Sequence, residues 1–257
     1  MTVLARFANP WARAFFVLVG CAMLLLGPSL AAADEPPAPK PVRNWSIEFA
    51  LGASIGGPLD DIESAMEAAG FGDDIDWGQE WGESEYPIQS SDSSSAWGAV
   101  RRRVGDGRWM LGLGAGWTNF GNVIGNHNVE GEPFARVSLD SEVEMLTLAP
   151  MAWYQVAPAA RLGAGVALNR VDTSVGQYYG VVSESSSWEP GILVEAAVTY
   201  PPASRFYFLM LVEYRWLQDG TIGPWQDEAS NGEVVVFPES DVALSHGLGA
   251  VGLGIRF

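Results

Sequence analysis

The sequence is poor in the residue types on which many enzymes and nucleic-acid binders depend. It contains one cysteine and two histidines, and its 14 basic residues face 31 acidic ones, which gives a formal net charge of −17. A general nucleic-acid binder is excluded, because such a protein needs a basic face to neutralise phosphates. Charged residues make up only 18% of the chain and hydrophobic residues 48%, which also excludes a disordered chain.

Residues 1–33 have the pattern of a secretory signal peptide. Arg6 and Arg13 form a positive start, Ala14–Leu26 is apolar, and Ala31–Ala33 supplies small residues for cleavage. The apolar run is shorter than the roughly 20 residues that a membrane anchor needs. A lipoprotein signal with Cys21 as the lipidated residue is an alternative, although the residues after Cys21 stay apolar. Cleavage after Ala33 would leave no cysteine, and residues 34–42 are a proline-rich, extended periplasmic lead-in.

Residues 43–257 contain no apolar stretch near the length of a membrane helix, and apolar residues alternate with small or polar ones instead. This alternation predicts eight strands, at Arg43–Ser54, Ser95–Val104, Trp109–Thr118, Val143–Val156, Arg161–Asn169, Gly191–Tyr200, Phe206–Trp216 and Val242–Phe257. Two facings stay open. Arg101–Arg103 place charge on both faces of the second strand, and both faces of the fourth are apolar.

The connections between these strands are alternately short and long, as in an all-β, eight-stranded, antiparallel up-and-down transmembrane barrel. The short turns would face the periplasm together with both termini, and the long loops would be extracellular. Aromatic residues are expected to form a ring at each membrane boundary. The periplasmic ring would hold Trp45, Trp109, Tyr200, Phe206 and Phe257, and the outer ring Trp97, Trp117, Tyr214 and Trp216. A soluble β-sandwich or lipocalin-like barrel is the alternative, but it would not need aromatic residues at both ends.

The last strand alternates apolar residues and ends in Leu253, Ile255 and Phe257. This ending resembles the closing strand of bacterial outer-membrane proteins, where it acts as a signal for the barrel assembly machinery. Residues 43–257 are similar to small eight-stranded barrels of the OmpA/OmpW type and to the "outer membrane protein beta-barrel domain" families. The resemblance implies assembly among the lipids of a Gram-negative outer membrane, as a monomer or sometimes a dimer. It does not imply one activity, because the same barrel carries many functions.

Five charged residues fall on strand positions that would face the lumen: Glu48, Glu195, Glu213, Arg215 and Arg256. Buried charges are costly unless they are paired, so Glu–Arg pairs are expected to plug the narrow bore. The other arginines of the strand ends are expected at solvated periplasmic turns, namely Arg101–Arg103, Arg108, Arg161 and Arg205. For Arg102 a place in the lumen stays open as the alternative.

The first long loop carries ten acidic residues between Asp60 and Glu85 and no basic one. Its first part, Pro58–Gly70, has the spacing of a short amphipathic helix. Carboxylates are ligands for Ca²⁺, so one hypothesis is a divalent-cation site, with candidate ligands Asp60, Asp61, Asp73, Asp74, Asp76 and Glu80. The alternative is a solvated acidic surface, since the spacing matches no known calcium loop.

No motif for a cofactor is present, and none is expected. Ser245 and His246 would suit a lipid hydrolase, but adjacent strand residues point to opposite faces and cannot form a nucleophile–base pair. The leading hypothesis is therefore a non-enzymatic barrel with a structural role or an interaction role through its acidic loops. A narrow channel for small solutes and a lipid-A-modifying enzyme are the alternatives.

Overall fold

The computed structural model describes residues 44–72, 75–76, 83–84, 88–105, 107–128, 136–177, 182–229 and 231–257. Eight long antiparallel strands form a closed ring, in which each strand pairs with its neighbours in the chain and the first pairs with the last. The strands are β1 (Trp45–Ile55), β2 (Ser94–Val104), β3 (Trp109–Asn128), β4 (Arg136–Gln155), β5 (Ala160–Gly176), β6 (Val182–Tyr200), β7 (Phe206–Leu217) and β8 (His246–Arg256). The predicted eight-stranded up-and-down barrel is confirmed.

The ring closes between β1 and β8. Their register runs from Ser46 opposite Arg256 to Ile55 opposite Gly247, and Trp45 and Phe257 exchange two backbone hydrogen bonds of 3.0 Å. Closure matters because an unpaired backbone group in lipid costs several kcal/mol. Within the described ranges no helix is long and apolar enough to cross a bilayer.

The outward side chains of the strands form an apolar belt. Leu113 is 46% exposed, and its strand neighbours of the same parity are exposed as well. Most of the expected ring aromatics are also exposed: Trp45, Trp109, Trp117, Tyr200, Phe206, Trp216 and Phe257. The expectation for Trp97 is wrong, because its side chain is 2% exposed and points into the lumen. Trp188, 63% exposed on β6, was not expected in the outer ring.

The lumen of an eight-stranded barrel is narrow, and each large lumen aromatic side chain lies over a glycine of the adjacent strand. Trp97 is directly opposite Gly116, Trp153 opposite Gly163, and Tyr207 opposite Gly254. A Cβ atom added at Gly163 would lie 2.3 Å from the Trp153 ring, and one at Gly254 would lie 2.2 Å from the Tyr207 ring. Glycine is therefore required here to make room for a neighbouring ring.

Four strands are much longer than the alternation indicated. β3 and β4 have 20 residues each, β5 has 17 and β6 has 19. Much of the predicted loops Asn119–Glu142 and Val171–Pro190 is therefore strand that projects beyond the membrane. β3 bends at a bulge between Asn119 and Asn122. Gly121 has a φ of +93° there, a conformation that favours glycine.

The projecting strands carry an extracellular cap with its own apolar core. Helix α1 (Leu59–Ala68), close to the expected Pro58–Gly70, buries Ile62 and Met66 against it. Two short hairpins complete the cap: Gly220–Ile222 with Ser240–Val242, and Trp225–Glu228 with Val234–Phe237. The other core residues are Phe71, Phe120, Val123, Val137, Leu139, Val143, Met145, Val171, Val175, Ile222, Trp225, Val235, Phe237, Val242 and Leu244.

Polar contacts tie the pieces of the cap to one another. The Ala243 amide donates to Asp61 Oδ2 at 2.7 Å, which fixes α1 to the chain leading into β8. The His127 ring on β3 contacts the Gly70 carbonyl at 3.0 Å and Glu233 Oε1 at 3.1 Å. The first and last extracellular connections are therefore held together at the top of the barrel.

The two faces of β3 should respond differently to substitution. Leu113→Arg places a charge in the lipid belt and should cost about 2–4 kcal/mol, whereas Leu113→Ile should change little. Gly114→Ala should cost about 1–3 kcal/mol by overpacking, because its Cβ would lie 2.3 Å from Trp97. Urea unfolding in lipid vesicles measures the free energy of unfolding of each variant. A Leu113→Arg protein as stable as the wild type would contradict the assignment of the faces.

Candidate functional site

The lower half of the lumen holds two ion pairs that cross the bore. Arg161 on β5 donates two hydrogen bonds to Glu48 on β1, of 2.9 and 2.6 Å. Arg101 on β2 donates to Glu195 on β6, at 3.2 and 3.3 Å. In a ring of eight strands, β1 lies opposite β5 and β2 lies opposite β6, so each pair joins opposite walls of the barrel.

The two bridges are joined into one network. Arg101 also forms an ion pair with Glu48, and Arg161 Nε donates to Glu195 at 3.1 Å. Tyr207 donates its hydroxyl hydrogen to Glu48 at 2.5 Å. Further contacts come from Trp153, whose indole nitrogen donates to Glu195 at 3.1 Å and whose ring centroid lies 4.3 Å from the Arg101 guanidinium carbon. All six side chains lie in the barrel interior.

A second polar group lies above the first in the lumen. Arg215 donates to Glu213, two residues earlier on β7, at 2.5 Å. The same guanidinium donates to Thr147 Oγ1 on β4 at 2.8 Å, and Thr147 donates in turn to Asn169 at 2.8 Å. Glu213 is directly opposite Glu195 across the β6–β7 pairing. Three glutamates and three arginines thus share the lumen, and their formal charges cancel.

The structure places Glu48, Glu195, Glu213 and Arg215 inside the barrel, where their side chains are buried. The expectation that Arg101 and Arg161 lie at solvated turns is wrong, because these side chains are 1% and 6% exposed. Parity could have located Arg161, which shares the small-residue face of β5 with Gly163, Gly165, Ala167 and Asn169. Charge balance indicated the same, since the three predicted lumen glutamates outnumbered the two predicted lumen arginines.

Arg256 occupies a different place from the other predicted lumen charges. It lies half-buried at the periplasmic mouth and donates to the carbonyl oxygens of Pro202, at 2.6 Å, and Ser204, at 3.0 Å. Its guanidinium carbon lies 4.0 Å from the centroid of the Tyr207 ring. Arg256 therefore contacts the lumen network through Tyr207. Its hydrogen bonds hold the turn between β6 and β7 in place.

Ser245 and His246 are both used in structural contacts. Ser245 Oγ accepts from the Leu217 amide and donates to the Leu217 carbonyl, each at 3.0 Å. The buried His246 ring donates from Nδ1 to the Leu244 carbonyl at 2.9 Å and packs edge-on against Phe120. The two side chains lie on opposite faces, so they do not form a nucleophile–base pair.

The predicted cation ligands of the first loop are only partly described. Asp60 and Asp61 lie in the first turn of α1, and Asp61 accepts the Ala243 amide. Only the backbone of Asp76 is described, in a short strand paired with Glu83–Ser84, and Asp73, Asp74 and Glu80 lie outside the described residues. Among the described side chains, no group of three or more His, Cys, Asp or Glu residues is placed to hold a metal ion. The cation site stays a prediction.

A second acidic region lies on the outer face of β4, above the membrane belt. Asn119 donates to Glu142 at 2.6 Å and to Glu144 at 3.2 Å, and Asn122 donates to Asp140 at 3.2 Å. Partial burial, helped by the like charge of Glu142, raises the pKa of Asp140 above its usual range, and the Asn122 hydrogen bond opposes this. The row of carboxylates is therefore held together by asparagines against mutual repulsion.

Comparisons with known proteins give remote similarities of fold. No family model and no curated protein matches the chain. Among solved structures it is similar to a major outer membrane protein from Thermus thermophilus, with 11% identity, 83% of this chain and 98% of that chain covered, and a TM-score of 0.48. It is also similar to the outer membrane protein OprG from Pseudomonas aeruginosa, with 13% identity, coverage of 84% and 96%, and a TM-score of 0.44. The similarity to Neisserial surface protein A has 12% identity and a TM-score of 0.41, and it covers 84% of this chain and 98% of that chain.

These values are low, so the class of the protein rests on the geometry of the barrel itself. The sheet is closed, its membrane-facing side is an apolar belt with aromatic residues at both edges, and its interior is charged and small. These are the properties of transmembrane barrels. The chain is a small eight-stranded β-barrel of the outer-membrane type.

The lumen bridges should show the cost of an unpaired buried charge. Arg161→Met leaves two glutamates to share Arg101, and it should lower the free energy of unfolding by about 3–5 kcal/mol. The matched control is Arg170→Met, which removes an exposed arginine paired with Asp172 and should cost at most about 1 kcal/mol. Urea unfolding in vesicles compares the two variants, and equal losses would show that the bridge is not a buried interaction.

The acidic row should respond to pH through Asp140. Because its pKa is raised in the folded state, ionisation of Asp140 disfavours the folded hairpin, and this penalty grows as pH rises above 3.8, its ordinary value. Asp140→Asn should therefore slow amide hydrogen exchange in the β3–β4 hairpin at pH 7. Below pH 3.8 the variant and the wild-type protein should exchange at the same rate. Equal exchange in both proteins at pH 7 would contradict the assigned repulsion.

Proposed function

We propose that the chain is a closed, non-conducting and non-enzymatic barrel that holds an acidic extracellular cap as an interaction surface. The observation that carries this proposal is the pair of bridges across the bore, Glu48–Arg161 and Arg101–Glu195. Each bridge joins opposite strands, so the charges stand in the path that a solute would take. A barrel of eight strands has just enough interior for side chains, and these charges fill it.

The cap supports the same proposal from the other end of the barrel. Its apolar core spans α1, the projecting strands and both short hairpins, and Phe120 and Leu244 bring it close to the last lumen residues. A solute would have to displace this core to reach the lumen. The buried core also gives the extracellular surface a fixed shape, which suits a recognition role better than a mobile loop would.

The charge of the cap indicates the kind of partner. The outer face of α1 carries Asp60, Glu63 and Glu67, and the outer face of β4 carries the row from Asp140 to Glu144. In contrast, Arg170 is the only arginine or lysine side chain described on the extracellular part of the chain. A cationic partner, or divalent cations, would be attracted to this surface.

Conductance in planar bilayers tests the closed bore. The wild-type protein should give no current steps above those of a bare bilayer, because under this proposal the bridges and the cap core block the path of ions. A variant without both bridges, Glu48→Ala/Arg101→Ala/Arg161→Ala/Glu195→Ala, should admit ions more readily. The matched control is Arg170→Ala/Asp172→Ala, which removes an exposed pair and should remain silent.

Insertion must be equal in all three proteins, as judged by heat-modifiable migration of the folded barrel on gels. Discrete, reproducible steps from the wild-type protein would overturn the closed-bore proposal and favour a narrow channel. Mass spectrometry of lipid A incubated with the protein tests the enzyme alternative, and a change in acyl chains would contradict a non-enzymatic role.

A further inference from the structure

The basic side chains gather at the end of the barrel opposite the acidic cap. Residues 99–112, 151–164 and 197–210 contain the three periplasmic turns and the strand ends beside them, and their sequence includes one acidic residue, Asp106. The same stretches contain exposed Arg102, Arg108 and Arg205 at the periplasmic boundary. We propose that these three arginines, called here the periplasmic rim, bind anionic phospholipid headgroups of the inner leaflet.

Each arginine of the rim lies against an aromatic side chain of the membrane boundary. The Arg102 guanidinium carbon is 5.5 Å from the centroid of the Trp45 ring, its cross-strand neighbour. The Arg205 guanidinium carbon is 5.6 Å from the centroid of Phe206. Arg108 donates to the hydroxyl of Tyr154 at 3.3 Å. The three guanidinium groups thus lie at the same level as the aromatic residues that surround the barrel at the periplasmic membrane boundary.

This level is where lipid phosphates lie, because boundary aromatics sit among the headgroups. An arginine beside such a ring keeps its alkyl stem against the apolar belt and turns its guanidinium towards the phosphates. A guanidinium can donate two parallel hydrogen bonds to a phosphate, which an ammonium cannot. Within the described ranges, neither Arg102 nor Arg205 forms an ion pair with a carboxylate of the chain.

The partner is a lipid rather than a soluble acidic protein because each arginine of the rim lies beside an aromatic side chain of the membrane boundary and the three are spread around the barrel. Arg102 and Arg108 lie near the β1–β4 wall and Arg205 lies on the β6–β7 turn, so the rim does not form one compact patch. Separate sites around a circumference suit many small headgroups, whereas a protein partner needs a continuous surface.

At the outer membrane boundary the described arginine is paired with a carboxylate, unlike those of the periplasmic rim. The proposed preference for anionic lipid therefore applies to the periplasmic leaflet. Arg170 there is already paired with Asp172 at 3.1 Å, and Glu144 is directly opposite Asp172 on the next strand. Anionic headgroups would be repelled from this edge. Among the described side chains, the attraction for anionic lipid therefore lies at the periplasmic end.

Electron paramagnetic resonance of spin-labelled lipids tests the proposal. The folded full-length protein is placed in phosphatidylcholine vesicles with a trace of spin-labelled phosphatidylglycerol or spin-labelled phosphatidylcholine, and the motionally restricted fraction is measured. The wild-type protein should prefer phosphatidylglycerol, and Arg102→Gln/Arg108→Gln/Arg205→Gln should lower that preference about fivefold or more, since each surface arginine contributes an appreciable attraction. High salt should weaken the wild-type preference.

The control variant, Arg170→Gln, removes one cation at the outer boundary and should keep the wild-type preference. All variants are checked for equal urea unfolding, so that loss of the rim is separated from loss of the fold. Equal restriction of the two lipids by the wild-type protein, or an unchanged preference in the triple variant, would overturn the proposal. A conducting barrel would leave it intact, because the rim does not depend on the closed bore.

Discussion

The structure depends on charge neutrality inside a narrow bore that is lined by buried side chains. Glu48, Glu195 and Glu213 would be prohibitively costly there without cations, and Arg101, Arg161 and Arg215 supply three. The bridges between opposite walls have a mechanical effect as well, because they fix the distance across the barrel at the level of Glu48 and Glu195. Strand pairing sets the circumference of the ring, and the ion pairs set its cross-section.

Large rings and glycines solve the remaining problem of filling the lumen. A small barrel has too little room for a full set of side chains, so every ring needs an empty place beside it. Trp97, Trp153 and Tyr207 each take the space above a glycine on the next strand. Two of these rings also donate hydrogen bonds to lumen carboxylates. Trp153 and Tyr207 therefore both fill space and donate hydrogen bonds to buried carboxylates. The glycines that make room for these rings are in this way connected to the buried glutamates.

Much of this fold could be predicted, because alternation with period two survives wherever one face meets lipid and the other meets a small lumen. The prediction failed for Trp97, since the run Arg101–Arg103 hid the parity of β2. It also failed for the projecting halves of β3 to β6, because strands above the membrane face water and a cap core and no longer follow the lipid pattern. Arg101 and Arg161 were missed because an arginine near a turn resembles a solvated one until its carboxylate partners across the bore are known.

The length of β3 and β4 sets how far the cap stands from the lipid. Twenty residues at about 3.4 Å each, tilted by roughly 40°, rise about 50 Å, whereas the apolar band is only about 25 Å tall. The upper end of β3, where His127 and Glu233 meet, is thus roughly 20 Å beyond the bilayer surface, more than two screening lengths at physiological salt. Charges at this level are therefore electrically independent of the phosphates of the outer leaflet, and only carboxylates near the membrane boundary, such as Glu144 and Asp172, act on the headgroups.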